Sequence, residues 1–366
     1  MKILYVSNIG PDKAAGMYWS IPASVAAQQQ YDDCLWVNLN GCDQPSWRSV
    51  SAFKSINEVD LSDFPSALPV PFSHPEVVIF EGFYNFQQVK LSKELRHKGI
   101  PYIIIPRGSL TNQAFSNHNV LNNIKKRIAC LIWFRPYTRK ARTIQFLTEQ
   151  EYMDSGKGWC HNHFILPNGV STPSQLKKEF SVNAIKGVFV GRPSMLHKGI
   201  DLLAEACRIV QNEMRESRFT ITCHMPQKED YETIVDMVSG KGVSDILKIK
   251  DGVFGVEKQQ ALLSADVFIM SSRFEGHPMA LIEALSYGLP VAVTEGSNMR
   301  KEIFDSNAGW VCDTTVDGVV SMLKTIIAER EEFMVKGYNA HNLAMKYDWN
   351  NLAKRFHKEV EMIVKK

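Results

Sequence analysis

The stretch of sequence that says most about the fold is SSRFEGHPMALIEALSYGLPV, residues 271–291. An apolar run typical of a buried strand, DVFIM (266–270), precedes it, and it runs into another, PVAVT (290–294). Pro278 suits the first position of a helix, where its missing N–H costs nothing, and Gly288 is a common C-terminal stop. The segment therefore predicts a strand, a helix from Pro278 to about Tyr287 and a second strand, which is one unit of a parallel α/β sheet.

The same alternation extends along the chain in both directions. Helical patterns between the apolar runs include about Ile21–Gln30, about Lys198–Met214 and an amphipathic segment over Tyr347–Lys366. The strand pattern restarts near Asn168–Pro173, so the 366 residues predict two doubly wound α/β domains. Facing domains of this kind form a cleft at the carboxyl ends of their strands, where ligands usually bind. The other predicted strands are 2–8, 34–39, 77–80, 101–106, 143–148, 163–170, 186–192, 219–223 and 246–250.

The composition is that of a globular protein and argues against several classes. Hydrophobic residues make up 45% and charged residues 22%, and a net charge of +3 is too small to indicate a polyanion-binding protein. Seven cysteines without a CxxC pair favour a reduced, cytoplasmic compartment. The N-terminal run MKILYVSNIG is too short for a signal peptide, and no apolar run has the length of a membrane span. We therefore expect a cytoplasmic protein, at most peripheral at the inner face of the membrane.

A local excess of positive charge qualifies that expectation. Residues 95–148 contain ten Lys or Arg and no Asp or Glu. Within them, IKKRIACLIWFRPYTRKAR (124–142) mixes cations with large apolar residues, as helices at membrane interfaces do. A contact of residues 118–142 with an anionic membrane surface is one interpretation, and a packed helix with solvated cations is the other. No motif indicates nucleic-acid binding.

Two glutamates stand out in the opening segment. Glu275 lies in the loop before the predicted helix, and Glu283 lies inside the helix. Carboxylates suit hydroxyl-rich ligands, because each oxygen can accept from a vicinal diol. The helix N-terminus would offer the N–H groups from Gly276 to Leu281 to a sugar or diphosphate. An ordinary loop with two solvated glutamates is the alternative.

A second segment, GRPSMLHKGID (191–201), supplies positive charge. Gly191 and Arg192 end a predicted strand, and Lys198 opens the next predicted helix. Two cations in one cleft can neutralise the charge that builds on a departing nucleoside diphosphate, in place of a divalent metal. The alternative is a pair of surface cations near a helix start, where positive charge is unfavourable.

Together these segments resemble retaining glycosyltransferases of family 4, which have the two-domain GT-B fold. The resemblance covers most of the chain and rests on the order of its motifs: Arg192 with Lys198, the E-x7-E spacing of Glu275 and Glu283, and P-N-G-V at 167–170. KYDWNNLAKRF (346–356) looks like the family's terminal helix, which crosses back to the first domain. The resemblance thus implies an acceptor-side domain of 1–168 plus about 346–366, and a nucleotide-sugar domain of 169–345.

The resemblance also implies roles for individual residues. Glu283 would bind the ribose of the donor, Glu275 would contact the donor sugar, and Arg192 and Lys198 would hold the diphosphate. We count Arg192, Lys198 and Glu275 as catalytic and expect residues 251–256 to border the base. The other implied donor-binding positions are Gly16, Arg107, Gly191, Gly276, His277, Pro278, Met279, Ala280 and Leu281. For His277, an exposed loop position is the alternative.

Two positions depart from the family pattern. Ala15 precedes Gly16, where many members have a second glycine in the first loop. Arg107 stands where many members have a histidine that touches the donor sugar. It could reach the sugar, an acidic acceptor or a phosphate, or form a structural ion pair.

The activity that the resemblance implies is transfer of a hexose-type sugar, with retention, from a UDP- or GDP-linked donor. The acceptor would be a hydroxyl of a glycan or of a lipid-diphosphate-linked intermediate. PRGSL (106–110), followed by a basic Trp-containing helix, resembles bacterial members that build surface polysaccharides such as O-antigen (of lipopolysaccharide), capsule or exopolysaccharide. Without a convincing DxD metal motif or a placed nucleophile, we expect a metal- and cofactor-independent front-face reaction. A nucleotide-sugar epimerase on the same fold and an inert nucleotide-sugar-binding scaffold are the alternatives, and the absence of GxGxxG disfavours a dinucleotide oxidoreductase.

Overall fold

The computed structural model describes residues 1–50, 52–111, 128–155, 158–228 and 230–365. The chain divides into two compact units: unit 1 comprises Met1–Gly169 and Trp349–Lys366, and unit 2 comprises Val170–Asp348.

Unit 1 is built on a seven-stranded parallel sheet in the order β3-β2-β1-β4-β5-β6-β7. Every residue of the central strands β4, β5 and β6 is buried, which explains their uninterrupted apolar runs. The strands are β1 (Lys2–Ser7), β2 (Asp33–Asn38), β3 (Phe53–Ser55), β4 (Val77–Glu81), β5 (Tyr102–Ile105), β6 (Thr143–Phe146) and β7 (His163–Ile165). The helices in the described part of residues 1–169 are α1 (Gly16–Gln28), α2 (Pro45–Val50), α3 (Phe86–His97), α4 (Arg135–Lys140), which follows a π-helical turn at Cys130–Phe134, and α5 (Glu149–Ser155).

The first helix differs from its predicted bounds. It begins at Gly16 instead of about Ile21, and it keeps Pro22 in its interior. The prediction was wrong because proline is expected near the first turn of a helix, where it breaks no hydrogen bond.

Unit 2 has a six-stranded parallel sheet in the order β10-β9-β8-β11-β12-β13. The two predicted doubly wound α/β sheets are thus confirmed. The strands are β8 (Ile185–Val190), β9 (Phe219–Met225), β10 (Leu247–Asp251), β11 (Val267–Met270), β12 (Val291–Thr294) and β13 (Gly309–Cys312). The helices are α6 (Met195–Lys198), α7 (Ile200–Ile209), α8 (Gln211–Glu216), α9 (Tyr231–Gly240), α10 (Gly255–Ser264), α11 (Met279–Ser286), α12 (Arg300–Asp305), α13 (Val316–Ala328) and α14 (Phe333–Ala344).

The single helix predicted over about Lys198–Met214 is three helices. Lys198 ends α6 instead of opening a helix, and Gly199 follows it in the left-handed conformation, with φ of +60°. A second break separates α7 from α8 at Val210. Apolar periodicity continues through both breaks, so the pattern did not reveal them.

The C-terminal helix α15 (Trp349–Val364) belongs to unit 1, as predicted, and packs on α1. Its buried residues are Leu352, Ala353, Phe356 and Val360, spaced along one face. The ring of Phe356 lies 6.4 Å from that of Tyr5 and 6.2 Å from that of Phe164. At the start of the helix, a Cβ on Gly169 would overlap the indole of Trp349. The helix is therefore an integral part of the unit 1 core.

We expect Phe356→Ala to lower the free energy of unfolding of unit 1 by about 3–5 kcal/mol, because it leaves a cavity between the sheet and α15. Phe304→Ala is the matched control, since Phe304 in unit 2 is 70% exposed and its truncation removes little buried surface. Chemical denaturation of both variants measures the difference. Equal effects would contradict the packing role of α15.

Candidate functional site

The candidate site lies at the carboxyl edge of the unit 2 sheet. The chain proceeds from β8 through β9 to β10 on one side, and then continues from β11 to β13 on the other side. The sheet order thus reverses between β8 and β11, and in doubly wound sheets ligands bind beside this point. The loops after β8 and β11 carry GRPSMLHKGID and SSRFEGHP, the two segments that the sequence singled out.

Lys198 and Glu275 meet at this point. The Lys198 ammonium lies 2.6 Å from Oε1 of Glu275, and the Ser272 hydroxyl donates to the same oxygen at 2.6 Å. The two charged side chains are only 14% and 13% exposed, so solvent ions screen them weakly. The structure thus brings together two of the residues predicted to be catalytic and holds their charges in balance.

A close backbone contact fixes the two loops against each other. A Cβ on Gly199 would overlap the carbonyl oxygen of Ser271, and the Ser271 hydroxyl donates to the carbonyls of Lys198 and Gly199 at 3.0 Å each. Glycine is required at position 199 for this approach and for its positive φ. The contact places the end of α6, and with it Lys198, beside the loop that carries Glu275.

A bidentate ion pair strengthens the same junction. The Arg273 guanidinium donates to the two carboxylate oxygens of Asp201 at 2.7 and 2.6 Å. The backbone N–H of Arg273 donates to the carbonyl of His197 at 2.8 Å. Paired N–H groups of one guanidinium fix both distance and orientation, so the loops are held rigidly.

Glu283 forms a second ion pair, with Lys258 of α10. The side chains are 18% exposed for Lys258 and 23% exposed for Glu283. Lys258 follows the loop of residues 251–256, which the sequence predicted to border a base. Glu283, which is predicted to bind the ribose, therefore has a cationic neighbour, Lys258, that the sequence did not indicate.

The start of α11 differs from the prediction in two respects. The helix begins at Met279, and Pro278 is its N-cap instead of its first residue. The N–H of Leu281 donates to the carbonyl of Pro278 at 3.1 Å, and the Leu281 side chain is fully buried. Leu281 was therefore wrong as a free donor, because the first turn of the helix already uses its N–H. Met279 and Ala280 precede the first helical hydrogen bond and are half-buried, as is Gly276.

His277 lies inside unit 2. Its side chain is buried, and its ring meets that of Tyr347 edge-on, with centroids 5.0 Å apart. Burial lowers the pKa of His277 to about 3, so the imidazole is neutral at physiological pH. The alternative of an exposed loop histidine was wrong, and a contact with a donor sugar stays a prediction.

Arg192 is exposed and lies three residues before the first residue of α6 (Met195–Lys198). In the described parts of the chain its guanidinium takes part in no ion pair. The N–H of Gly191 donates to the carbonyl of His224 at 3.1 Å, which ties the loop after β8 to β9. Among the residues that the structure describes, Lys198 is therefore paired with a carboxylate and Arg192 is not.

The two predicted positions in the first domain lie in unit 1. Gly16 is the exposed first residue of α1. Arg107 is 7% exposed at its side chain and donates to both oxygens of the fully buried Glu81 carboxylate at 2.7 and 3.1 Å. It also donates to Asn168 at 2.6 Å and Ser20 at 3.1 Å. Of the readings left open for Arg107, the structural ion pair is the one that this geometry favours.

The backbone around Arg107 is fixed by a second buried carboxylate. Arg107 adopts a left-handed conformation, with φ of +51°, which is uncommon outside glycine. Glu151 accepts the N–H of Gly108 at 2.5 Å and that of Leu147 at 2.6 Å, which ties together the loops after β5 and β6. Burial raises the pKa of Glu151, and the two N–H donors partly oppose that shift.

Several residues of both networks were missed from the sequence. Asp201 is the last residue of the segment GRPSMLHKGID, and Arg273 follows β11, the strand beside β8. An acid and an arginine at these two positions could have been predicted from the sequence to form an ion pair. Lys258 gave none, because its partner Glu283 lies on another helix. Within the described ranges, no group of three or more His, Cys, Asp or Glu side chains could hold a metal ion.

Residues 184–329, most of unit 2, match the family model described as Glycosyl transferases group 1. The match includes both loops of the site and the Lys258–Glu283 pair.

Two curated proteins illustrate the similarity. The sulfoquinovosyl transferase SQD2 of Arabidopsis thaliana is 27% identical over 165 residues, which are 43% of this chain and 31% of that protein. The amylovoran biosynthesis glycosyltransferase AmsK of Erwinia amylovora is 28% identical over 120 residues, 31% of this chain and 29% of that protein. The matched region thus spans about a third of the length of these relatives.

Among solved structures, Anabaena Alr3699/HepE in complex with UDP is similar over the whole chain. The TM-score is 0.73 at 14% identity, and the match covers 99% of this chain and 100% of that one. The likeness shows the fold, which is GT-B, as predicted.

We expect Arg107→Ala to destabilise unit 1 by about 3–5 kcal/mol, because it leaves the buried Glu81 carboxylate without its counter-charge. Arg107→Lys keeps the charge but loses the bidentate geometry, so its loss should be smaller. Denaturation with urea measures both. An Arg107→Ala variant with unchanged stability would show that the Glu81 pair is not structural.

Proposed function

We propose that the chain is a retaining glycosyltransferase that moves a hexose-type sugar from a UDP- or GDP-linked donor to a hydroxyl of a glycan or lipid-linked acceptor. We further propose a role in bacterial surface-polysaccharide biosynthesis, which the similarity to AmsK supports. The observation that carries the proposal is the Lys198–Glu275 pair at the reversal point of a sheet within a glycosyltransferase domain.

Lys198 and Arg192 would stabilise the leaving nucleoside diphosphate. As the bond to the sugar breaks, negative charge builds on the diphosphate, and preorganised cations lower the barrier most where that charge develops. Lys198 is held in place before the reaction by Glu275 and by the contact of Gly199 with Ser271. Arg192 is exposed and can turn toward the phosphates. In this proposal no metal ion is needed.

Glu275 would bind hydroxyls of the donor sugar. In the described part of the chain, Lys198 and Ser272 both donate to Oε1, so Oε2 is available as an acceptor. A carboxylate already engaged by an ammonium and a hydroxyl is a poor nucleophile, which favours a front-face reaction. In such a reaction the acceptor hydroxyl attacks on the face that the diphosphate leaves, and the leaving phosphate takes its proton.

The remaining donor contacts would follow the sheet edge. Glu283 would bind the ribose, residues 251–256 would border the base, and the N–H groups of Met279 and Ala280 would meet the sugar or phosphates. Donor bases are recognised largely through backbone contacts, which side-chain identity does not reveal. Binding measurements are therefore needed to distinguish a UDP-linked from a GDP-linked donor. An epimerase would convert the donor to an isomer, and an inert scaffold would release no nucleoside diphosphate.

We expect Lys198→Ala to lower kcat by at least one to two orders of magnitude, which corresponds to about 1.4–2.7 kcal/mol of transition-state stabilisation. The measurement is release of nucleoside diphosphate from UDP- and GDP-hexoses with a panel of hydroxyl acceptors. Lys324→Ala is a matched control, because Lys324 also pairs with a glutamate in unit 2, at 3.1 Å from Glu213, but is 53% exposed. Near-wild-type turnover of Lys198→Ala would refute the assignment.

A lipid-linked acceptor would be reached from an anionic membrane surface, and unit 1 has a face suited to it. The segment of residues 128–134 before α4 buries Cys130 and Phe134 and exposes Ile128, Leu131, Ile132 and Trp133, at 51%, 66%, 54% and 41%. Trp133 packs edge-on against Phe86, itself 56% exposed. In α4, Arg135, Arg139 and Lys140 are exposed.

Large apolar side chains flanked by cations fit the boundary between lipid headgroups and acyl chains. Each well-placed cation contributes about 1 kcal/mol of attraction to an anionic leaflet. The part of the sequence-based proposal that falls on residues 118–127 lies outside the described residues. Among the described residues, no helix has the length and apolar character needed to cross a bilayer.

We expect the protein to float with phosphatidylglycerol vesicles at low salt and to be released at high salt, because the attraction is partly electrostatic. Leu131→Ser with Ile132→Ser should reduce flotation several-fold. Met334→Ser with Val335→Ser is the matched control, since these residues are 65% and 52% exposed in unit 2. Failure of the wild-type protein to float would overturn the membrane contact but not the transferase activity.

A further inference from the structure

The ion pair between Lys258 and Glu283 joins two helices at the edge of the candidate site. Lys258 is the fourth residue of α10, two positions after residues 251–256, and Glu283 lies in the middle of α11. Both side chains remain partly accessible, at 18% and 23%, so a ligand can reach either one. The geometry places an ammonium and a carboxylate side by side, where the proposed function assigns the ribose to the carboxylate alone.

Stability does not account for the pair. Partly buried ion pairs roughly balance the cost of desolvation against Coulomb attraction, so they are weak determinants of folding. Replacing a buried ion pair by apolar residues of similar volume is often neutral for folding. A lysine at this point is better explained by what its three N–H donors can offer to a ligand.

A ribose hydroxyl matches both members of the pair. A hydroxyl group donates one hydrogen bond and accepts others. Glu283 can only accept, and Lys258 can only donate. One hydroxyl in contact with both would therefore accept from Lys258 and donate to Glu283, whereas a hydrogen atom in its place would remove both hydrogen bonds and leave the two side chains with each other alone.

We propose that Lys258 is a specificity-determining residue, which donates to a ribose hydroxyl that itself donates to Glu283, and so selects ribonucleotide donors over deoxyribonucleotides. The proposal rests on the proposed function, because it takes the nucleoside diphosphate as the ligand of this edge. It adds Lys258 as a second residue in contact with the ribose. The preference for ribonucleotides over deoxyribonucleotides then depends on Lys258 and Glu283 together.

The test is calorimetric binding to the full chain of UDP, GDP and ADP, and then of the 2′-deoxy and 3′-deoxy forms of the diphosphate that binds most tightly. For the wild-type protein we expect one deoxy form to bind at least tenfold more weakly, since hydrogen bonds to charged groups are strong. In Lys258→Met, that ratio should fall by about tenfold, and Lys258→Arg should restore most of it. Lys324→Met removes the lysine of the exposed Lys324–Glu213 pair and should leave the ratio unchanged.

The outcomes separate the two proposals. If none of the three diphosphates binds, the proposed function fails, and this proposal fails with it. If one binds and the ratio is the same in Lys258→Met as in the wild-type protein, the role of Lys258 is overturned and the proposed function stands. Thermal melting of each variant shows whether it is folded. If Lys258→Met does not fold, the comparison of Lys258→Arg with the wild-type protein still tests the proposal.

Discussion

The close approach of Gly199 to the Ser271 carbonyl is the constraint on which the rest of the site depends. It needs a residue without Cβ and with positive φ, and Gly199 has both properties. Because the chain breaks here, α6 is one turn long and ends with Lys198 beside Glu275. A continuous helix through position 199 would point the lysine elsewhere. The Asp201–Arg273 pair then locks the same junction from its outer side.

Three ion pairs within the protein lie at the edge of unit 2. Lys198 faces Glu275, Lys258 faces Glu283 and Arg273 faces Asp201, so cations and carboxylates lie close together without strong repulsion. Such pairs are preorganised, and a polar ligand can exchange partners with them at little cost in reorganisation. A polyhydroxylated, anionic ligand presents both kinds of partner, which agrees with the match of this region to the Glycosyl transferases group 1 model.

The sequence predicted the features that depend on local pattern, and it missed those that depend on distant contacts. Buried parallel strands and the division into two units follow from the apolar runs, whereas the return of the C-terminal helix was implied by the family resemblance. The break at Gly199 does not, because apolar residues continue in helical register across it. Leu281 was taken as a free donor because the N–H groups of the helix start were counted one residue too far, although the N–H of Leu281 already donates to Pro278. Lys258 and Glu151 act through partners on other elements, which spacing along one chain does not reveal.

The charged residues at the carboxyl edges of the two sheets differ in burial, and Arg107 is the clearest example. In unit 1, the strongest charges at the strand ends are buried and saturated: Glu81 is held by Arg107, and Glu151 by backbone N–H groups. At the corresponding edge of unit 2, the charges of the Lys198–Glu275, Lys258–Glu283 and Arg273–Asp201 pairs remain partly accessible. A buried, saturated network specifies one backbone geometry, here the left-handed turn at Arg107. An accessible, half-satisfied one is suited to exchange partners. Both edges carry arginine and glutamate side chains. The burial of these charged side chains, more than their identity, therefore distinguishes the structural edge of unit 1 from the candidate reactive edge of unit 2.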